Sequence, residues 1–302
     1  MDTSPKTLIV IAGPTAIGKT DLAIKVARHF RTEIISADSR QFYREMSIGA
    51  AKPSAEELNQ VTHHFVNSHS IHQTFTAGDF EQQALETLAN LFINKDTVVL
   101  VGGSGLFVNA VCYGFDELPK APKAIRQELN SIYNRQGLAP LLEELNGTDP
   151  DYYRQVDLNN PQRVIRALEV YRTSGKPFSS YRNKEAKKRP FNSIKIGLNT
   201  ERKILYERIN QRVDLMMQQG LQAEVKSLLR YQSLNALQTV GYSELFSFLN
   251  NEISLETAIN QIKQNTRRYA KRQLTWFKRD TSYTWFTPSE TERIITFIES
   301  RL

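Results

Sequence analysis

The segment Gly13–Thr20 constrains the fold of this chain most strongly, because it joins a strand-like apolar run to a helix through a glycine-rich loop. It reads Gly-Pro-Thr-Ala-Ile-Gly-Lys-Thr and fits the phosphate-loop pattern. The apolar run Leu8–Ala12 precedes it, and residues 20–30 have the periodicity of an amphipathic helix. In this context, backbone N–H groups and a helix N-terminus converge on one point and attract a polyphosphate.

The loop predicts a role for each of its residues. Lys19 supplies a positive charge, and the Thr20 hydroxyl is the expected ligand of a Mg²⁺ ion. The alternative is a tight strand-to-helix turn that needs two glycines and binds nothing. The pattern does not identify which diphosphate or triphosphate is bound. The residues expected to bind the phosphates are Gly13, Pro14, Thr15, Ala16, Ile17, Gly18, Lys19 and Thr20.

Cysteine usage and hydropathy narrow the class of protein. A single cysteine, Cys112, excludes an internal disulfide and any multi-cysteine metal site, and it is expected to be a small buried apolar residue. No uninterrupted apolar stretch is long enough to span a bilayer. The first residues lack the pattern of a secretory signal, so we expect a cytoplasmic protein without membrane attachment.

The net charge of +7 and the isoelectric point near 9.3 suit a polyanionic partner, although a basic balance also keeps a protein in solution. The segment Lys263–Arg279 contains seven Lys or Arg residues and no acidic ones. Within it, Tyr269 and Trp276 are expected in the core rather than as platforms for stacked bases, and the cations suit phosphate contacts. A second basic cluster comprises Lys184, Lys187, Lys188 and Arg189.

Strand and helix patterns alternate in the first part of the chain. Strand candidates are Leu8–Ala12, Glu33–Ser36 and Thr97–Val101, and a helix is expected over Asp79–Phe92. This alternation predicts an α/β fold with a parallel sheet flanked by helices. Ligands of such sheets bind at the carboxyl ends of the strands.

The pattern changes near residue 118. Helical periodicity then dominates until Phe191–Leu198, which again has the pattern of a strand. We therefore expect a core domain of residues 1–118 and 189–302, helical toward its C-terminus, and a helical insertion domain of residues 119–188.

Two polar segments follow predicted strands. Asp38 has three open interpretations: a cap of the following turn, a Mg²⁺ partner in a nucleotide hydrolase or kinase, or a general base beside the phosphates. The loop Gly102–Gly105 is weak evidence by itself, since glycine turns are common after strands. Its position allows a second group of N–H donors, with the Ser104 hydroxyl, to face the same anion.

Two pairs of arginines lie at helical spacing. Arg163 and Arg166 share one face and are either solvated surface residues or phosphate contacts. Arg208 and Arg212 either neutralise a leaving phosphate or pair with Glu207 and Asp214. The adjacent histidines His63-His64 point to opposite faces of any strand, so loop or packing roles are favoured over metal binding.

In order along nearly the whole chain, seven segments resemble the bacterial tRNA dimethylallyltransferases, which prenylate N6 of adenosine 37, the base 3′ to the anticodon. The phosphate loop alone is shared with a very large superfamily, whereas the ordered set is specific. Ser104 and Ala50 stand where the family usually has threonine, and Phe107 where it has tyrosine. Ser104 retains the hydroxyl; we have no account of Ala50. The segments are Gly13–Thr20, Ser36–Tyr43, Ile48–Pro53, Val101–Leu106, Pro161–Val170, Thr239–Glu244 and Ala270–Trp276.

The resemblance implies that the phosphate loop binds dimethylallyl diphosphate and that Asp38 is the general base that also hydrogen-bonds the adenine amine. Lys19, Arg212 and Mg²⁺ at Thr20 then stabilise the leaving diphosphate, and Ser104 donates to its bridging oxygen. The target base must leave the anticodon stack, and the insertion domain is expected to bind the anticodon stem of the tRNA. We expect a monomer.

The resemblance also implies a set of tRNA contacts spread over the chain. These are Asp38, Ser39, Arg40, Gln41, Ser104, Arg126, Gln162, Arg163, Val164, Ile165, Arg166, Gln238, Thr239, Val240, Gly241, Tyr242, Ser243, Lys271, Arg272, Gln273, Trp276 and Lys278.

Three other functions compete with this interpretation. A phosphate-loop kinase or nucleotide hydrolase would turn over ATP without an allylic diphosphate. An adenylate isopentenyltransferase would prenylate free AMP, ADP or ATP, but a mononucleotide acceptor needs neither the insertion nor the basic C-terminal segment. An RNA-binding protein with a vestigial phosphate site would not need Lys19, Thr20 and Asp38 intact.

Overall fold

A six-stranded sheet in which all strands run parallel forms the centre of the fold, as the sequence predicts. The computed structural model describes residues 5–182 and 187–302. The strand order is β3-β2-β4-β1-β5-β6, so the first strand lies between β4 and β5. The strands are β1 Thr7–Ala12, β2 Ile34–Ser36, β3 His63–His64, β4 Thr97–Gly102, β5 Asn192–Leu198 and β6 Thr284–Phe286.

The apolar runs found in the sequence are the inner strands. Every residue of β1, β2 and β4 is buried, as expected for strands covered by helices on both faces. The edge strands β3 and β6 contain only two and three residues, too few for a period to show in the sequence. Of the two roles predicted for His63 and His64, the loop is wrong, whereas their half-buried positions in β3 agree with packing. His63 Nδ1 lies 2.8 Å from the Val61 carbonyl, and His64 Nε2 lies 2.8 Å from Glu33 Oε2.

By its contacts, the chain divides into two compact units, residues 1–113 with 189–302 and residues 114–188. The first unit contains the sheet and most of the helices. The helix Ala77–Leu91 begins with a Thr76–Asp79 capping box, and its residues Phe80, Ala84 and Leu88 are buried. Its helices are α1 Lys19–His29, α2 Ala55–Gln60, α3 Ala77–Leu91, α4 Gly105–Tyr113, α9 Arg202–Gln218, α10 Leu221–Ser227, α11 Tyr242–Leu249, α12 Leu255–Phe277 and α13 Thr291–Glu299, with 3₁₀ turns at Leu229–Tyr231 and Asn235–Leu237.

The second unit is helical and has its own core. Leu129, Leu141, Leu145 and Leu168 are among its buried residues. Asp149 is buried, and two hydrogen bonds satisfy its carboxylate, which accepts the N–H groups of Tyr152 and Ser179 at 3.0 and 2.7 Å. The helices are α5 Lys123–Gln136, α6 Ala139–Thr148, α7 Pro150–Tyr153 and α8 Pro161–Ser174, with a 3₁₀ turn at Phe178–Tyr181.

Two further sequence predictions concern single features. Cys112 is buried, and burial raises the pKa of its thiol to about 11, so it behaves as the small apolar residue that was predicted. In the ranges 5–182 and 187–302, we find no helix whose length and apolar content would let it cross a bilayer.

Candidate active site

A cavity of about 680 Å³ opens beside the carboxyl ends of β1, β2 and β4. Ligands of parallel sheets bind at this edge. It brings together residues that are far apart in the sequence, including the loop Thr15–Thr20, Asp38, Gly103, Arg212 and Gln273.

The loop between β1 and α1 has the backbone shape that its glycines permit. Gly18 has φ +97°, a left-handed conformation that glycine adopts without strain, and α1 begins at the next residue. Lys19 Nζ donates to the Pro14 carbonyl oxygen at 2.7 Å, which closes the loop on itself. The N-terminus of α1 therefore faces the cavity together with a lysine, an arrangement suited to an anion.

The cations Lys19, Lys52 and Arg212 and the carboxylates of Asp21, Asp38 and Glu57 line the cavity. Burial and the positive charge of Arg212 lower the pKa of Lys19 to about 7, while the charge of Asp38 acts in the opposite direction. Burial also lowers the pKa of Arg212, whose Nη1 donates to Thr15 Oγ1 at 3.2 Å. The repulsion between the charges of Lys19 and Arg212 favours the binding of an anion near both. The site is thus arranged for a ligand of high negative charge.

Asp38 serves as a cap and also faces the cavity. Its Oδ1 accepts the N–H groups of Arg40 at 2.9 Å and of Gln41 at 3.3 Å, which is the capping interaction that the sequence suggested. No group in the described part of the chain donates to Oδ2. The carboxylate is therefore fixed in orientation while one oxygen remains available to a ligand.

Ser104 contacts the same turn. Its Oγ accepts the Ser39 N–H at 3.0 Å, and its side chain also hydrogen-bonds Tyr269. Burial and the charge of Asp38 raise the pKa of Tyr269, which keeps its hydroxyl protonated. Tyr269 lines the cavity, so the prediction that it belongs to the core is wrong, whereas Trp276 does pack against the core.

Gln273 connects the phosphate loop to the loop after β4. Its Oε1 accepts the Thr15 N–H at 2.9 Å, and its Nε2 donates to the Gly103 carbonyl at 2.8 Å. A Cβ atom on Gly103 would lie 2.3 Å from that Nε2, so glycine is needed for this approach. The side chain is buried with both ends engaged and lines the cavity, and its expected tRNA contact stays a prediction.

Arg208 and Arg212 both reach the phosphate loop from α9. Arg208 Nη1 lies 3.5 Å from the Ile17 carbonyl oxygen, at the limit of a hydrogen bond. The alternative pairing with Asp214 does not occur, since Asp214 forms an ion pair with Lys263 at 2.6 Å.

In the second unit, two of the expected tRNA contacts, Arg126 and Arg166, meet at the buried carboxylate of Glu169. Glu169 Oε2 accepts from Arg126 Nη1 at 3.0 Å and from Arg166 Nη1 at 3.3 Å, and Arg126 also donates to Gln162. This orients two guanidinium groups on one side of the unit. Arg163 is exposed on the same helix.

Val164, Ile165 and Tyr242 are 0% exposed, which excludes direct tRNA contacts by their side chains. The first two pack in the core of the second unit because α8 turns that face inward. Among the other expected contacts, Gln238, Lys271, Arg272 and Lys278 are exposed, Ser39, Arg40, Gln41, Thr239, Val240, Ser243 and Trp276 are half-buried, and Gly241 is buried.

The described members of the second basic cluster have different surroundings. Arg189 donates to Glu81 at 2.6 Å and to the carbonyls of Ala110 and Val111, so it is an internal anchor. Lys187 pairs with Glu117 at 3.2 Å, and Lys188 is exposed. Lys184 lies outside the described residues.

The oxygen donors of the cavity fit a Mg²⁺ ion held mainly by a diphosphate. Within the part of the chain that the structure describes, no three His, Cys, Asp or Glu residues form a metal-binding group. Mg²⁺ commonly binds through one or two protein oxygens and substrate phosphates. Thr20 supplies such an oxygen in the cavity.

The fold and the site define a parallel α/β protein of the phosphate-loop class with an anion pocket at the carboxyl edge of its sheet. The model of the IPP transferase family matches residues 41–280. The tRNA dimethylallyltransferase of Christiangramia forsetii is 51% identical over 296 residues, which cover 98% of each chain. The tRNA dimethylallyltransferase 1 of Phocaeicola vulgatus is 47% identical over 296 residues, 98% of this chain and 99% of its own. This chain belongs to the IPP transferase family.

Solved structures agree. The full-length tRNA isopentenylpyrophosphate transferase of Bacillus halodurans superposes with a TM-score of 0.72 at 37% identity, covering 98% of this chain and 96% of its own. A eukaryotic dimethylallyltransferase, captured in crystallographic snapshots acting on tRNA, gives a TM-score of 0.75 at 27% identity, covering 90% and 69%. The family resemblance drawn from the sequence is confirmed.

Proposed function

We propose that this chain transfers the dimethylallyl group of dimethylallyl diphosphate to N6 of adenosine 37 in tRNA and releases diphosphate. The observation that carries the proposal is the placement of the Asp38 carboxylate in one cavity with Lys19 and Arg212. A base and a cradle for a leaving diphosphate are the two requirements of this reaction. Membership of the IPP transferase family supports it, as does the naming of the relatives as tRNA dimethylallyltransferases. We further propose a cytoplasmic monomer.

In the transfer step, the adenine amine nitrogen attacks the allylic carbon that carries the diphosphate. A C–N bond forms while the C–O bond breaks, and the electron pair of the C–O bond leaves with the diphosphate. The nitrogen loses one proton, which Asp38 accepts as general base. Since the N–H groups of Arg40 and Gln41 occupy Oδ1, the proton is assigned to Oδ2.

The leaving diphosphate gathers negative charge as the C–O bond breaks. Lys19 and Arg212 stabilise that charge, and the positive end of the α1 dipole stabilises it further. Ser104 is buried and hydrogen-bonds the Ser39 N–H and Tyr269, and its proposed role as donor to the bridging oxygen rests on the family resemblance. Thr20 would hold a Mg²⁺ ion, which would further neutralise the charge of the diphosphate.

Two sets of cations are proposed to bind the tRNA. Arg126, Arg163 and Arg166 of the insertion domain, residues 119–188, are proposed to bind the anticodon stem-loop, and Lys271, Arg272 and Lys278 to contact its phosphates. The adenine must leave its stack to reach Asp38, as in other enzymes that modify a base within a nucleic acid chain. A free nucleotide acceptor would use neither set.

The deciding experiment combines the protein, Mg²⁺, dimethylallyl diphosphate and unmodified tRNA, followed by mass spectrometry of the digested nucleosides. We expect prenylated adenosine in the tRNA and none when AMP or ATP replaces it. Turnover of ATP without a prenylated product would support the kinase or hydrolase alternative and reject the proposal. Prenylated AMP would assign the adenylate isopentenyltransferase activity instead.

Binding of dimethylallyl diphosphate should be accompanied by proton uptake. With a pKa of about 7, Lys19 is mostly neutral at about pH 8 in the free protein, and the bound anion raises that pKa. The bound state then holds more protons, so affinity falls as the pH rises above about 7. Calorimetry in two buffers of different ionisation enthalpy should show close to one proton taken up at about pH 8. Uptake near zero, or equal uptake in Lys19→Met, would contradict this.

Arg163→Ala should weaken tRNA binding and reduce its dependence on salt. Losing one phosphate contact lowers the slope of log affinity against log salt by about 0.7 to 0.9. Arg154→Ala is the matched control, because Arg154 is exposed in the same unit but already paired with Asp151. Filter binding at several salt concentrations measures both, and equal slopes would make Arg163 an ordinary solvated residue.

A further inference from the structure

One wall of the reaction cavity is an irregular segment, Ser47–Pro53, which we call the wall segment. Ile48, Ala50, Ala51 and Lys52 of this segment line the cavity. Such a segment keeps its shape only if its backbone groups have partners elsewhere. The N–H groups of its first three residues all donate to a single side chain.

That side chain is Glu224 of α10. Its Oε2 accepts the N–H groups of Ser47 at 3.0 Å and Ile48 at 2.8 Å, and its Oε1 accepts the Gly49 N–H at 3.0 Å. The hydroxyl of Tyr242 donates to the same Oε1 at 2.6 Å. An ionised acceptor makes each of these bonds stronger than a neutral one. One carboxylate therefore anchors the start of the wall segment.

Tyr242 leaves this anchor little freedom to shift. Its side chain is buried, and a Cβ atom on Gly49 would lie 2.4 Å from its ring. Burial and the Glu224 charge raise the pKa of its phenol, so it remains a donor to the carboxylate. The expected tRNA contact at Tyr242 is thus replaced by a support for Glu224.

Hydrogen bonds connect the other end of the wall segment to Asp38, the proposed general base. Gln41 Nε2 donates to the Ala51 carbonyl at 3.0 Å, and Gln41 Oε1 accepts from Ser36 Oγ at 3.0 Å. The backbone N–H of Gln41 donates to Asp38 Oδ1. A continuous series of hydrogen bonds and short backbone runs therefore leads from Glu224 through the wall segment and Gln41 to Asp38.

We propose that Glu224 is a positioning residue for prenyl transfer, which orients the Asp38 carboxylate by fixing the wall segment and, through it, Gln41. The inference rests on the proposed role of Asp38 as general base. Glu224 does not line the cavity, so its effect is on the rate of the step rather than on substrate contact.

Glu224→Gln tests this. An amide has one acceptor oxygen and an NH₂ group that cannot accept, so some of the wall N–H groups lose their partner. We expect the single-turnover rate at saturating tRNA and dimethylallyl diphosphate to fall about 10- to 100-fold, since small misplacements of a catalytic group have effects of this order. The dissociation constant for tRNA should stay within about twofold, because the cations assigned to the tRNA phosphates lie outside the wall segment and are retained.

Glu45→Gln is the matched control. Glu45 also anchors a loop, accepting from Ser70 Oγ at 2.6 Å and the Ile71 N–H at 3.0 Å, but it does not line the cavity. Its loss should lower thermal stability without changing the saturated rate. In a double-mutant cycle, Glu224→Gln should add little to Gln41→Ala if both act through the same connection.

Tyr242→Phe serves if Glu224→Gln does not fold. It removes one of the four hydrogen bonds and keeps the ring against Gly49, so a smaller fall in the saturated rate, about two- to fivefold, is expected. A wild-type saturated rate in the folded Glu224 variant and in Tyr242→Phe, or factors that simply multiply in the cycle, would overturn the proposal. Failure of the proposed function would show differently, as absence of prenylated tRNA with the unaltered chain.

Discussion

Asp38→Asn should lose about 10²- to 10⁴-fold in single-turnover rate while still binding tRNA, because it removes a general base but keeps the turn. The asparagine side-chain oxygen can still accept the N–H groups of Arg40 and Gln41 that Oδ1 accepts now. The substitution therefore separates the base from the cap. Rapid-quench measurement of prenylated tRNA gives the rate, and filter binding gives the affinity.

Asp38→Ala is the companion variant, since it removes both the base and the cap. We expect a similar loss of rate and, in addition, lower thermal stability than in Asp38→Asn. A rate near that of the unaltered protein in Asp38→Asn would refute the role as base and leave only the structural one.

Lys19→Met should lower the saturated rate by about 10²-fold and weaken the binding of dimethylallyl diphosphate, with tRNA affinity unchanged. The lysine is the cation placed within the phosphate loop, so its loss removes charge where the leaving group develops it. Titration calorimetry measures the diphosphate affinity, and a single-turnover assay measures the rate.

Lys25→Met is the control for that experiment. Lys25 lies on the same helix and is exposed, and it lines a second, smaller cavity rather than the one that Lys19 lines. A long-range effect of net charge alone would be similar for both lysines, whereas a local role predicts near-normal rate and affinity in Lys25→Met. Equal losses in the two variants would contradict the assignment of Lys19.

Local sequence patterns predicted the parts of the site that are local. One apolar run directly precedes the phosphate loop and another directly precedes Asp38, so the sequence places both at strand ends. The N–H partner of Thr15, by contrast, is Gln273, and Ser47 is anchored by Glu224. Both partners lie in amphipathic helices where nothing in the neighbouring sequence distinguishes them from other polar residues.

The tRNA contacts show a different limit. The family resemblance implies tRNA contacts at five consecutive residues, Gln162–Arg166. Five consecutive residues of a helix cannot all face one ligand. The stripe of Val164 and Leu168 in the sequence already indicates the buried face of α8. Helical periodicity could therefore have removed Val164 from the expected contacts, while the convergence of Arg126 and Arg166 on Glu169 required the fold.

The bond from Gln273 to Thr15 has a consequence for the order in which the protein is made. The phosphate loop and β1 are synthesised before β5, with which β1 pairs, and before Gln273, which accepts the Thr15 N–H. The phosphate loop therefore gains these two supports only after α12 has been translated.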